Sequence, residues 1–383
     1  MLHFTNYVGR AFVHDDLLVK WTDPNRLLWP CALLVPLSPF VGAALVAIVG
    51  PGLFWATGML LVVVVLPLVD VIAGTDDRNP PDSMMRELER DRWYRWCTYL
   101  YLPLQYGAVV FACWAWTHAA MGTPERIGLA LSVGVVSGIG INAAHELGHK
   151  RTSHERAFAM IALGPSFYGH FYIEHNHGHH LHAATPQDAA SSRFGESFWA
   201  FLPRSIVGGA RGAWNHEAAR LRRRGHGPIH RNNRVLVSLV PSIVLVVVVV
   251  ALFGPAVLPW LALQAALAVV FLESANYLEH YGLLRERRPD GTWVKVAPQH
   301  SWNSNHRFSN IFLYHLQRHS DHHANPLRRY QTLRSMPEAP QLPAGYAAMV
   351  LLAWVPPLWR RIMDPRLLDH YDGRIDLVNT GSA

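Results

Sequence analysis

The chain has 383 residues, half of them hydrophobic and only 16% charged, with a formal charge of +7. A soluble domain usually carries about 25% charge, so this composition excludes an ordinary soluble enzyme and points to an all-α polytopic membrane protein. The positive charge lies in loops between apolar runs. It is therefore read as membrane orientation, and nucleic acid is not expected as a partner.

The first residues, MLHFTNYVGR, lack a basic start followed by an apolar run, so no cleaved leader is expected. Six apolar segments follow in chain order, at 27–48, 53–73, 98–119, 126–144, 235–253 and 257–279. Each is near the ~20 residues that cross a bilayer. A Val-Gly-Pro-Gly turn near residue 50 joins the first two, and the six read as three helical hairpins. Basic residues crowd three connecting segments: 74–97, 145–234 and everything from 281 onward. The opposite loops carry only Arg126 beside Glu125. The positive-inside rule then puts both termini and all three segments on the cytoplasmic side of the membrane. The expected organisation is one membrane unit over 1–340, with cytoplasmic segments 145–234 and 280–340 carrying the chemistry. A peripheral tail is expected over 341–383.

Histidine dominates the chemistry on that side. The fourth span closes on His145 and His149, four apart and so on one helical face. His175, His179 and His180 form a second box, in which His175 and His179 are expected to share a face. The adjacent His180 turns elsewhere, to a second metal or to a second position on the same one. His319 pairs at helical spacing with His322 or His323, and His280 closes the sixth span. Neutral imidazole ligates zinc, copper and iron. His177 would point away from the face of its box. Among the acidic residues, Glu146, Glu174, Asp188, Glu273, Glu279 and Asp321 are candidates to orient ligating rings through their second nitrogen.

His145-Glu146-Leu147-Gly148-His149 also fits the zinc-protease pattern H-E-x-x-H, in which the glutamate activates water. That site needs one more ligand and leaves the remaining histidine boxes unexplained. A metal transporter would line a route across the bilayer with its ligands instead of gathering them at one side. Cys31, Cys97 and Cys113 form no C-x-x-C pair, so neither a disulfide nor an iron–sulfur site is indicated.

HELGHK at 145–150, EHNHGHH at 174–180, NYLEHYGL at 276–283 and LQRHSDHHA at 316–324 resemble the integral-membrane alkane hydroxylases. These alkane 1-monooxygenases belong to the membrane fatty acid desaturase and hydroxylase superfamily. The likeness runs through Pro67-Leu-Val-Asp70 and Asn79-Pro-Pro81, over about residues 20–340. It implies two non-haem iron ions held by His145, His149, His175, His179, His180, His280, His319, His322 and His323, with no haem, flavin or nucleotide. It also implies oxidation of n-alkanes to 1-alkanols by O2, with electrons from a separate rubredoxin that is reduced by rubredoxin reductase. Aromatic-methyl hydroxylation and fatty-acyl desaturation share the same metal logic.

An alkane offers no polar handle, so terminal attack calls for a narrow apolar tunnel open to membrane lipid. Trp55, Met59, Leu131, Val135 and Ile139 are the candidate lining residues. Arg318, Arg328 and Arg329 are candidates for docking an acidic electron donor.

Overall fold

The computed structural model describes residues 21–381, all of it helix, turn and loop apart from three isolated β-bridges. Nine of its helices position the site. They are α1 (Trp29–Val49), α2 (Leu53–Ala73), α3 (Tyr101–His118), α4 (Thr123–Gly148), α5 (Phe198–Arg222), α6 (Arg234–Phe253), α7 (Pro255–Glu279), α8 (Tyr346–Ala353) and α9 (Pro356–His370). Five of them, α1, α2, α4, α6 and α7, are long and apolar enough to cross a membrane. The third predicted segment forms α3, but Gln105, Trp114, Trp116 and His118 make it less apolar than the others. Gln105 is wholly buried and donates to the Ala162 carbonyl, so its polarity is used inside the bundle.

Helix boundaries follow local chemistry. α1 stops at Gly50, whose φ of 116° is open to glycine and strained for other residues. α2 widens into a π-turn over Leu61–Val65 just before Pro67. Proline has no N–H to continue the regular ladder, so the neighbouring bonds re-form at longer spacing. Exposed Val71, Ile72, Ile48 and Leu252 show that α1, α2 and α6 turn apolar faces outward.

α4 is the central post, buried along most of its length. α7 lies along it, and the approach depends on Gly134 and Gly138. A Cβ at Gly134 would come within 2.8 Å of the Leu267 side chain, and one at Gly138 within 3.1 Å of Phe271 Cβ. This small-xxx-small spacing lets two membrane helices close on each other. The C-terminal ends of α4 and α7 thereby become neighbours, and both carry histidine.

The segments after α4 and α7 fold over those ends. Asp70 near the end of α2 accepts hydrogen bonds from the backbone N–H groups of Phe308 and Ser309, at 2.9 and 3.0 Å. It fixes the short helix Arg307–Phe312, and with it the chain leading to His319–Ala324. The C-terminal segment, expected at the periphery, is built into the core. Tyr346, Met349 and Ala353 of α8 and Trp359, Met363 and Leu367 of α9 are buried with Tyr277 and Tyr281. α8 packs on α7 because seven of its eight residues are apolar, a pattern too short to read as a span.

Candidate metal centre

The nine histidines converge into two adjoining groups. His145, His149, His175, His180 and His322 form one, and His179, His280, His319 and His323 the other. Within each group the available ligand nitrogens all lie within 4.8 Å of one another.

One pairing differs from the expectation drawn from spacing. His175 joins His180, while His179 belongs to the other group. The cause is a π-turn over His175–His179. A π-turn bonds i to i+5, so positions five apart come onto one face. The same device sends adjacent His179 and His180 to different groups. In the third box His319 pairs with His323, and His322 crosses to the first group.

The nitrogens face each other at ligand spacing. His180 Nε2 is 3.1 Å from His175 Nε2 and 3.0 Å from His322 Nε2. His323 Nε2 is 2.8 Å from His319 Nε2 and 3.2 Å from both His179 and His280 Nε2. One neutral ring nitrogen either donates or accepts, so three such neighbours cannot all be satisfied by hydrogen bonds. His145 and His149 Nε2 are buried with no hydrogen-bond partner at all. Nitrogens about 2.1 Å from a shared ion stand about 3.0–3.4 Å apart, from octahedral to tetrahedral arrangement. The donor set therefore fits two metal ions, and its imidazole chemistry suits iron.

Outer groups fix the tautomers. The His280 Nδ1–H donates to the His300 carbonyl at 2.8 Å, leaving Nε2 as the free donor atom. The His179 Nδ1–H donates to Asp188 at 2.9 Å. Asp188 is itself held by the Ser191 hydroxyl and the Ala190 N–H. Burial opposes a charged His179, but Asp188 outweighs it and raises the ring to about 9. His175, His180, His319, His322 and His323 have no hydrogen-bonded carboxylate, and burial holds them well below the usual histidine range. They are neutral, which is the ligating form.

Of the six carboxylates named from sequence, Asp188 and Glu279 reach ligating rings, with Glu279 Oε1 3.3 Å from His319 Nδ1. Glu146 is taken by Lys150 at 3.0 Å, and Asp321 by Arg328 at 2.7 Å. Glu146 thus faces an ammonium instead of the imidazole cluster, and the protease role does not fit it. Glu174 and Glu273 border a separate small polar cavity. His177 is exposed and stacks on His216 at 4.6 Å.

An apolar cavity borders the first group. His145 and His175 stand in its wall with Asn142, Asn276 and Glu279, and Val62, Leu66, Ile139, Phe271, Leu313 and Val350 form much of the rest. Ile139 is the one expected lining residue found there. Trp55, Met59, Leu131 and Val135 do not border it. Trp55 packs instead among α3, α4, α6 and α7, and Val135 is buried in the neighbouring core. The walls missed from sequence come from Val62 and Leu66 of α2, from Phe171, and from α7, α8 and the segment before His319, because no local pattern shows which apolar faces meet.

The basic residues also divide. Arg318 is buried and donates to the carbonyls of Leu333, Asp76 and Arg78, so it braces loops and offers no docking surface. Desolvation lowers it to about 10. Arg328 and Arg329 border an open depression with Arg90, Arg95 and Arg151. Lys150, next in sequence to His149, lies in the same wall. Arg329 pairs there with Glu155 at 2.9 Å.

Residues 124–353 match the family described as fatty acid desaturase. The chain is 42% identical over 370 residues to an alkane 1-monooxygenase of Pseudomonas putida, covering 97% of this chain and 92% of the relative. Alkane 1-monooxygenase 1 of Alcanivorax borkumensis is 43% identical over 358 residues, covering 94% and 89%. The hydroxylase component of a Pseudomonas putida xylene/toluene monooxygenase is 31% identical over 278 residues, covering 71% and 73%.

Proposed function

The chain belongs to the fatty acid desaturase family and, within it, to the alkane 1-monooxygenases, and on that footing we propose that it hydroxylates the terminal methyl group of n-alkanes. The observation that carries this reading is a pair of adjoining histidine groups, the first of which places His145 and His175 in the wall of an apolar cavity. O2 is the oxidant, and rubredoxin is the electron donor.

His145, His149, His175, His180 and His322 would hold one iron, and His179, His280, His319 and His323 the other. Two iron ions bound there supply the capacity to reduce O2 and oxidise an unactivated C–H bond. The protein's own share is to bind, orient and exclude. Val62, Leu66, Ile139, Phe271 and Val350 desolvate the alkane, at about 0.8 kcal/mol per buried CH2. That gain hardly distinguishes one carbon from the next. Terminal selectivity therefore comes from shape: a chain end is what reaches His145 and His175 at the head of the cavity. Asp188 and the His300 carbonyl hold the His179 and His280 rings in place, with Glu279 beside His319.

We assign six membrane crossings in three hairpins, with α3 as the third, and a single catalytic unit over 1–340 joined by the packed C-terminal segment. The basic connecting segments favour a cytoplasmic metal site in the inner membrane. The Arg90, Arg95, Arg151, Arg328 and Arg329 depression suits an acidic donor protein.

Iron-loaded enzyme given reduced rubredoxin and a ladder of n-alkanes should yield 1-alkanols. No 1-alkanol at any length would overturn the reading. Likeness to the xylene/toluene enzyme supports a second substrate class, aromatic methyl groups, which p-xylene in the same assay would reveal.

A further inference from the structure

A second, polar cavity lies behind Phe171 and Asn276, which border both it and the alkane chamber. Tyr168, His170, Glu174, Ser205, Glu273 and Asn276 give it its polar character. Its room is on the order of one water molecule.

Glu273 is the residue without a task so far. It sits inside the 25-residue apolar helix α7 and is 2% exposed. An acidic group at such a depth costs a few kcal/mol, and ionisable residues kept there mark ion or proton paths by default. Among the described residues no lysine or arginine forms an ion pair with it, and it belongs to neither histidine group. Its Oε1 accepts a hydrogen bond from the Tyr168 hydroxyl at 2.8 Å. Its Oε2 accepts one from Asn276 Nδ2 at 3.2 Å. Beyond Tyr168, at a centroid distance of 4.3 Å, stands the His170 ring, whose buried Nε2 has no hydrogen-bond partner.

Hydroxylation balances as RH + O2 + 2 e⁻ + 2 H⁺ → ROH + H2O. The donor supplies the electrons, and the two protons must come from water. The alkane chamber is walled mainly by apolar side chains. Of its two asparagines, Asn142 is committed to the Leu313 carbonyl at 2.6 Å. Asn276 instead connects the chamber wall to Glu273.

We propose that Glu273 relays these protons, receiving them from the Tyr168 and His170 side and releasing them past Asn276 into the alkane chamber. In each passage the carboxyl O–H bond breaks as a proton leaves toward water beside Asn276. A new O–H bond forms with a proton entering from the Tyr168 side, and no electron moves. Tyr168 and Asn276 are positioning residues that aim the two carboxyl oxygens in opposite directions. The assignment rests on the hydroxylase reading above.

The test is Glu273→Gln in the full chain, iron-loaded, with reduced rubredoxin and an n-alkane that the wild type accepts. kcat should fall about 10²-fold, the scale of one proton-transfer group. Alkane KM and bound iron should stay at wild-type values, while the solvent isotope effect on kcat rises. Hydrogen peroxide should appear at the expense of alkanol, and Glu273→Asp should regain part of the rate. In metal-free protein, infrared spectra should show a carboxylic acid band that shifts in D2O and is lost in E273Q. Wild-type kcat and isotope effect in E273Q would overturn the relay. So would a rate loss that tracks lost iron with an unchanged isotope effect, or a carboxyl band that D2O does not move. A wild type that makes no alkanol fails earlier, and it overturns the hydroxylase reading itself.

Discussion

His175 Nε2 and His180 Nε2 stand 3.1 Å apart although His180 is five positions downstream. Regular α-helix would bring His175 to His179. The π-turn between them moves that partnership on by one residue and frees His179 for the second group. A helical defect is thus what divides one histidine box between two metal positions.

The division predicts unlike consequences for neighbouring substitutions. His180→Ala should deplete the five-histidine position and His179→Ala the four-histidine position. Each variant, loaded with ⁵⁷Fe, should retain close to one iron per chain with a different Mössbauer signature, and activity should fall by at least about 10²-fold. Identical residual spectra would mean that the two residues serve the same ion.

Asp188 should set the tenacity of the four-histidine position. It holds the His179 Nδ1–H while the Ser191 hydroxyl and the Ala190 N–H hold it in turn. Asp188→Asn keeps the shape and loses the charge. Outer-shell changes of this kind weaken metal binding about 10–100-fold. Competition with a chelator should therefore remove one iron from the variant well before the other, and equal rates of loss would deny Asp188 this role.

The histidines were legible from sequence because coordination leaves a spacing signature, and all nine do meet. Their partition was not legible, because it depends on a π-turn that no residue pattern announces. The helical class and five of the six expected spans followed from hydropathy. The chamber walls did not follow. Trp55 and Val135 look as suitable in sequence as Val62 and Leu66, and only packing shows which pair borders the cavity. Arg318 failed as a docking residue for the same reason. Its charge reads as surface, yet its guanidinium is spent on buried carbonyls.

Glu146 should behave as half of a buried ion pair and not as a hydrolytic base. Lys150 reaches it at 3.0 Å and also donates to the Arg328 carbonyl at 2.6 Å. Breaking a buried pair from one side costs about 3–5 kcal/mol. Lys150→Met should therefore lower Tm sharply, while removing both charges with Glu146→Gln and Lys150→Met together should recover much of the loss. A double variant no more stable than Lys150→Met alone would show that the pair is not coupled in this way.

The open basic depression predicts a change in donor kinetics without a change in alkane binding. Arg90→Glu and Arg151→Glu, both at exposed positions, should each raise the rubredoxin KM several-fold and flatten its dependence on salt, because exposed charges act over about 8–10 Å before screening. Alkane KM should be unaffected. Arg318→Glu is the contrast. It should reduce the yield of folded protein, since unsatisfied buried carbonyls cost about 1–3 kcal/mol each. A folded Arg318→Glu variant with only a raised donor KM would return that residue to the docking surface.

Val350 lines the chamber from α8, a helix that hydropathy alone places outside the catalytic unit. Enlarging it in Val350→Phe should take up the room of about two methylenes. At about 0.8 kcal/mol per buried CH2 this removes about 1.6 kcal/mol from a long alkane, or roughly a fifteen-fold loss in kcat/KM. An alkane two or more carbons shorter should be spared, so the product profile moves to shorter chains. Val350→Ala should move it the other way. If both variants keep the wild-type profile over a ladder of n-alkanes, the substrate does not run past α8. The chamber bounded by Val62, Leu66 and Phe271 would then have to direct it elsewhere.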